Sequence, residues 1–494
     1  MEGAAELEKK GRVELEVEIE NFGPISSGEV RLRPLTVFIG PNNSGKSYTA
    51  MLIRSIFELS AGFEYSIFGY LPLISEFIEK RSEKYYKLME TITNQVSQLL
   101  EKREYEIPKR YIETLTNEIL EVLFERELER EIIRTFACPP RELVKAGKTS
   151  STLRIKFGSY NVSLSLSGEG LRLIEFSHYP RVKIRASEGH RLLSGVSTRR
   201  EGNEILIEVS KGYSPESLRI VLLAEILENI ISSLLESISA PCYYLPAARS
   251  GILQGHKALA ASIVRKIPFA GIEKLEIPSF PGVVADFLSS IIALPKRKGP
   301  LYKLSQELEE ELLKGRIEAK LPEGEYSYPE ITYKSREVEL PLHRASSSVS
   351  ELAPLILYLK YYIRPGSLLI IEEPEAHLHP ENQRVLAKYL VRLVRKGVHV
   401  LVTTHSDYLL EQVNNFVLLS KVAPEKRRER GYREDDYLKP DEVAVYVFQY
   451  DEESKGYRIG EAEVTEEEGI TQEEFLRVDE ALYRETLRIT REIG

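Results

Sequence analysis

The stretch Leu35–Ser47, LTVFIGPNNSGKS, runs a short apolar strand into a polar loop bounded by glycines and ending in a lysine and a serine. From Gly40 to Ser47 it satisfies GxxxxGK[ST] in full, with strand character before it and helical spacing from Ser47 to about Leu59 after it. Gly40 and Gly45 let the backbone curl so that the N–H groups of the loop point inward, and the following helix presents its positive end to the same point. Pro41, Asn42, Asn43 and Ser44 complete that anion cradle. Lys46 has the reach for the β- and γ-phosphates of a nucleotide, and the Ser47 hydroxyl suits a magnesium ion. ATP and Mg2+ are the expected ligands.

A cradle of this kind needs a carboxylate for the metal shell and a second group to orient the attacking water. Leu368–Pro380, LLIIEEPEAHLHP, supplies two adjacent acids at the tip of a buried strand. Strand alternation is expected to send Glu372 toward the magnesium and Glu373, the water-polarising base, to the other side. The same stretch permits a second reading, a directly bound transition metal on Glu375, His377 and His379 serving an intrinsic nuclease or other metal hydrolase. Downstream, HVLVTTHS ends another buried strand in His405. Open α/β sheets gather their sites at the carboxyl ends of strands, so His405 is expected beside Glu373, sensing the γ-phosphate.

The rest of the chain is built to carry this core. Its 494 residues, 42% hydrophobic and 29% charged, describe a globular protein with room for two or three domains. Cys138 and Cys242 are isolated, so neither a disulfide framework nor a zinc ribbon is indicated. With no long apolar run and no signal-peptide pattern, a cytoplasmic location with no membrane association is expected. Residues 13–39 read as two strands and a turn, with GPISSG as the break. Helical spacing follows, with Leu88, Ile92, Val96 and Leu99 on one face and Ile112, Leu115, Ile119 and Val122 on another, separated by Pro108. TLRIKFG, NVSLSLS and EILIEVS alternate with period two and predict an antiparallel sheet to about Val209. From Ser346 helix and strand alternate, the mark of parallel α/β structure. The expected division is an α/β nucleotide-binding core, antiparallel lobe plus parallel sheet, over residues 1–60 and 241–494, a helical insertion over 61–150, and a β lobe followed by a helix over 151–240.

The ordered set GPNNSGKS, ASSSVSEL, LLIIEEPEAHLHP and VTTHSDYLL resembles the ABC-type ATPases of the RecF, SMC and OLD-nuclease group. Within it, the chain is similar to stand-alone AAA-family ATPases found beside nucleases in defence systems such as Septu and certain retrons. The similarity covers roughly the first 55 residues and the last 170, a judgement on motifs. It makes Gly40–Ser47 the Walker A loop, Glu372 and Glu373 the Walker B pair, His405 the switch histidine and Glu375–His379 the D-loop. Ser346–Ser350 falls at the ABC signature, so Ser346 and Ser348 would cap the ATP of a second subunit in an ATP-dependent homodimer. Two departures stand out: Glu372 replaces the usual Asp, and the signature lacks its glycines.

The resemblance implies an ATP-driven switch in DNA repair or antiviral defence, acting on DNA or controlling a partner nuclease. The residues after His405 do not read as an appended nuclease. A membrane-transporter ATPase fits poorly, because its motifs would lie closer together. For the Q-loop, YYLPAARSGILQGH offers Arg249 or Gln254. A net charge of -9 repels a phosphate backbone at long range, so DNA contact would need local patches such as PKRKGPLYK at 295–303 or KVAPEKRRERGYRED at 421–435.

Overall fold

The computed structural model describes residues 13–61, 90, 104–187, 196–210, 215–255, 280–320, 329–471 and 473–493. The chain opens with β1 (Leu15–Phe22), β2 (Ile25–Arg31), β3 (Leu35–Ile39) and α1 (Lys46–Ala61). After β4 (Glu104–Glu106) come α2 (Lys109–Leu120), a π-helical segment (Glu121–Leu128) and α3 (Glu129–Phe136). Strands β5 (Ser150–Phe157), β6 (Tyr160–Ser167), β7 (Gly170–Ser177), β8 (Arg181–Ser187), β9 (Val196–Glu201) and β10 (Glu204–Ser210) precede α4 (Pro215–Leu235) and β11 (Cys242–Leu245). Next are α5 (Gly282–Ile292), α6 (Tyr302–Leu308) and the small sheet β12 (Arg316–Lys320), β13 (Glu330–Lys334) and β14 (Glu339–Pro341). The parallel part follows as α7 (Ser347–Tyr361), β15 (Leu368–Glu372), α8 (Pro380–Arg395), β16 (His399–Thr403) and α9 (Asp407–Leu418). The chain then runs through α10 (Pro424–Glu429), β17 (Val443–Asp451) and β18 (Gly456–Ala462) to α11 (Glu473–Ile493).

One 11-stranded sheet, ordered β11-β15-β16-β3-β17-β18-β2-β1-β5-β6-β7, carries the molecule. The half from β11 to β17 is parallel, so β3, β15 and β16 end on one edge with Glu372, Thr403 and Phe38 paired across neighbouring strands. These strands are buried on both faces and read as continuous apolar runs, as parallel strands do. Phe38, Leu368 and Ile370 join the core under α1, while Val37, Ile39, Leu369 and Ile371 join the core under α7, α8 and α9. Each such fully buried side chain stabilises the fold by roughly 1.5–3 kcal/mol.

Several expectations are corrected. GPISSG is not a break, because β2 starts at Ile25 and the turn is confined to Gly23, at φ +54°, and Pro24. The strands expected in one antiparallel sheet to Val209 divide: β5–β7 extend the main sheet from β1, whereas β8–β10 join β4 in a second sheet in which β8 and β10 are parallel. Period-two alternation marks a half-buried strand but does not name its partner. Of the second helical face, Ile112, Leu115 and Ile119 are buried, but Val122 is only half-buried and Leu123 and Phe124 take its place. The π segment starting at Glu121 rotates the face by about one residue there. The face expected from Leu88, Ile92, Val96 and Leu99 lies outside the described residues.

Candidate active site

Gly40, at φ +142°, and Gly45, at φ +102°, open and close the loop in backbone that L side chains rarely adopt. There is also no room for one: a Cβ would lie 2.6 Å from the Phe448 carbonyl oxygen at Gly40 and 2.7 Å from Ile25 Cγ1 at Gly45. Asn43 takes the left-handed region as well, at φ 61°. Within the described residues the amides of Asn42, Asn43, Ser44 and Gly45 donate to nothing, leaving the concave face lined by free N–H groups at the start of α1. Lys46, only 6% exposed, folds back and donates to the carbonyls of Gly40 (2.9 Å) and Pro41 (2.8 Å). Burial pulls its ammonium down to about 8, against the opposing pull of Glu373, Glu375 and Glu372.

That pull shows which sequence-distant groups converge on the loop. Glu372, the last residue of β15, is buried and accepts from the Tyr244 hydroxyl, the Ala247 amide and the Ser47 hydroxyl. Burial outweighs these donors and raises its pKa. Ser47 and Glu372, expected together, are therefore in contact. Glu373 is separated from Glu372, but not by strand alternation. It lies past the end of β15 at φ 42°, a left-handed turn that costs a non-glycine residue about 1–2 kcal/mol. The turn is pinned by its amide on the Thr403 carbonyl (2.9 Å). His405 follows β16, whose exit is fixed to β3 by the Thr404 amide on the Phe38 carbonyl (2.9 Å). Its pKa is lowered by burial and by Lys46, with Glu373 opposing, so His405 faces the same space as both.

Glu375 has a role that its place in the sequence did not reveal. Its Oε1 accepts from the Thr404 hydroxyl (2.7 Å) and the His405 amide (2.8 Å), tying the turn after β15 to the turn after β16. Burial raises its pKa, and Oε2 is buried with no partner among the described residues. An acid three residues beyond a strand tip, facing a neighbouring strand that ends in Thr-Thr-His, is the only hint the sequence offered.

The metal-cluster reading does not survive. His379 caps α8, its Nδ1 accepting from the Glu381 amide (3.4 Å), and His377 is exposed at φ 60°. Among the described residues no three His, Cys, Asp or Glu side chains group as metal ligands. Of the two Q-loop candidates, Gln254 is exposed on a cleft of about 770 Å³ between α5, β13 and the start of α7. Arg249, the other candidate, is buried and bonded inward to carbonyls rather than toward the glycine loop. Ser346 caps α7 by accepting from the Val349 amide and pairs with Ser348 (3.1 Å). The bonds of both hydroxyls stay within that helix start, where Ser346 is exposed and Ser348 half-buried, and neither joins the glycine loop.

The chain matches the family model of the AAA ATPase domain over residues 15–410. No curated protein sequence matches it. Solved structures with a similar chain course include an SMC head bound to the C-terminal winged-helix domain of ScpA, at TM-score 0.40 and 11% identity over 91% of this chain and 97% of that one. An SMC head with an extended coiled coil, bound to the C-terminal domain of ScpA derived from Pyrococcus furiosus, gives TM-score 0.38 and 11% identity over 97% and 98%. The SMC head domain from Thermotoga maritima gives TM-score 0.34 and 10% identity over 91% and 98%. The family match contains the glycine loop, the carboxylate-bearing turn after β15 and His405. The chain thus belongs to the AAA ATPase domain family, in keeping with the resemblance of its motifs to the RecF, SMC and OLD group of ABC-type ATPases.

Proposed function

We propose that the chain binds MgATP on Gly40–Ser47, hydrolyses it with Glu373 as base, and works as a switch through ATP-dependent closure of a homodimer. The observation that carries this reading is the convergence of Glu373, Glu375 and Glu372 on the buried Lys46 ammonium. The donor chemistry fits the ligands. Free amides and a helix start suit phosphate oxygens, and the touching Ser47 hydroxyl and Glu372 carboxylate are the hard oxygen ligands that magnesium takes. A magnesium ion held there supplies charge neutralisation to the phosphates. Lys46 exchanges the Gly40 and Pro41 carbonyls for a phosphate, Glu373 orients a water and accepts its proton, and His405 contacts the same region. The hydroxyls of Ser346 and Ser348 suit the nucleotide of a second subunit.

The switch would act on DNA or control a partner nuclease, in repair or antiviral defence within the cytoplasm. Among the described residues no helix is long and apolar enough to cross a membrane. The two basic runs differ in how far acids answer them. In 421–435, Lys421 pairs with Glu467, Arg428 with Glu434 and Arg433 with Glu307, while Arg427 is buried. In 295–303, Lys296, Arg297 and Lys298 are exposed and make no ion pair among the described residues. Only Lys426 and Arg430 of the second run stay exposed without an ion pair among the described residues, which favours the first run for DNA contact.

Glu373→Gln with ATP and magnesium, followed by sedimentation and repeated with duplex DNA, tests the switch. The substitution should slow hydrolysis by about 100-fold or more and trap a dimer. A protein that stays monomeric under every condition would remove dimer closure.

A further inference from the structure

Arg249 is among the largest fully buried side chains of the chain, 2% exposed, on the helical turn 249–255 that follows β11. An isolated buried cation is costly, so its surroundings must answer its donors. Four of its five N–H groups are answered, from two separate elements. On the strand side, Nη1 donates to the carbonyls of Glu372 (2.6 Å) and Pro246 (3.2 Å), and Nη2 to the carbonyl of Glu373 (3.3 Å). On the helix side, Nε lies 3.2 Å from both the carbonyl and the carboxylate Oε1 of Glu351. Glu351 closes the circuit by accepting from the amides of Arg249 (2.9 Å) and Ser250 (3.0 Å).

The placement of Glu351 gives this clamp its meaning. It lies in the first turns of α7, just beyond Ser346 and Ser348 at the exposed helix start. A planar guanidinium with five fixed donors is the side chain that can bridge both elements; an ammonium cannot span them in one plane. We propose that Arg249 is a positioning residue that couples the seating of α7 against a partner subunit's nucleotide to the backbone turn presenting Glu373. It acts through the carbonyls of Glu372 and Glu373, so it sets where the base points rather than touching the reacting atoms. This rests on the ATPase reading above.

Arg249→Lys, Glu351→Gln and the double variant, each in the full chain, test it by ATP binding at equilibrium and by steady-state kcat and KM. A misplaced base lowers kcat by about 10- to 100-fold, while ATP affinity and KM stay within about threefold because the phosphate cradle is untouched. The double variant should be no slower than the slower single, since the pair acts as one unit. Unchanged kcat in folded variants overturns the proposal, as does a parallel fall of kcat, affinity and melting temperature, the mark of a merely structural pair. If Arg249→Lys does not fold, Glu351→Gln, nearly the same in shape, carries the same expectation. A wild-type protein without ATP turnover defeats the ATPase reading itself; an active wild type with unaffected variants defeats only the coupling.

Discussion

Burial draws the Lys46 ammonium down to about 8 even with Glu373, Glu375 and Glu372 pulling the other way. Phosphate binding favours the charged form, so ATP affinity should hold steady below about pH 8 and weaken above it, by up to about tenfold per pH unit. Equilibrium binding of a fluorescent ATP analogue from pH 7 to 9.5 checks this, with Lys46→Ala as the variant that loses both affinity and pH dependence. Affinity that rises with pH would place the charge elsewhere. At this scale the sequence was most legible where a motif ties residue type to chemical role, and Lys46, Ser47, Glu372, Glu373 and His405 all sit at one sheet edge. Arg249 and Glu375 were not legible, because their roles consist of bonds to backbone atoms and side chains of other strands and helices. No local pattern encodes those.

Strands and turns explain why the readable residues meet. The order β15-β16-β3 puts β16 between the strand ending in the glycine loop and the strand ending in Glu372. The Thr404 amide on Phe38 and the Glu373 amide on Thr403 then lock the three exits together. Strand character was visible in the apolar runs. The left-handed turn at Glu373 was not, since a glutamate there runs against local preference and is held by tertiary hydrogen bonds. At the opposite end of β16, His399 is 7% exposed, accepts the Val13 amide on Nε2 (3.4 Å), and has no partner for Nδ1 among the described residues. Burial brings its pKa down to about 4. In the unfolded chain the imidazole titrates near 6.5, so below that pH the unfolded state takes up a proton that the folded state refuses. The stability concerned is complete above about pH 6.5 and is lost progressively toward pH 4, amounting to about 3 kcal/mol. Urea unfolding at pH 7.5 and 4.5 should show a smaller loss for His399→Leu than for wild type; equal losses would mean that other groups govern the acid limb.

Across the whole molecule, the 11-stranded sheet joins what the sequence suggested as a core and a separate β lobe, because β5 pairs along β1 from Leu15 to Glu20. Alternation gave those strands their faces, but the long-range pairing that placed them had no sequence signal. Charge follows the same rule: a net -9 leaves the exposed Lys296–Lys298 loop as a local exception, while in the basic run at 421–435 Lys421 and Arg433 are paired with acids distant in the chain. The most direct test of a converged ATPase site is phosphate release measured beside ATP binding for the wild type, Lys46→Ala and Glu373→Gln. Wild type should bind and hydrolyse ATP, Lys46→Ala should lose both, and Glu373→Gln should bind near the wild-type level while turnover falls by about 100-fold or more. Wild-type turnover in Glu373→Gln, or undiminished binding in Lys46→Ala, would contradict it.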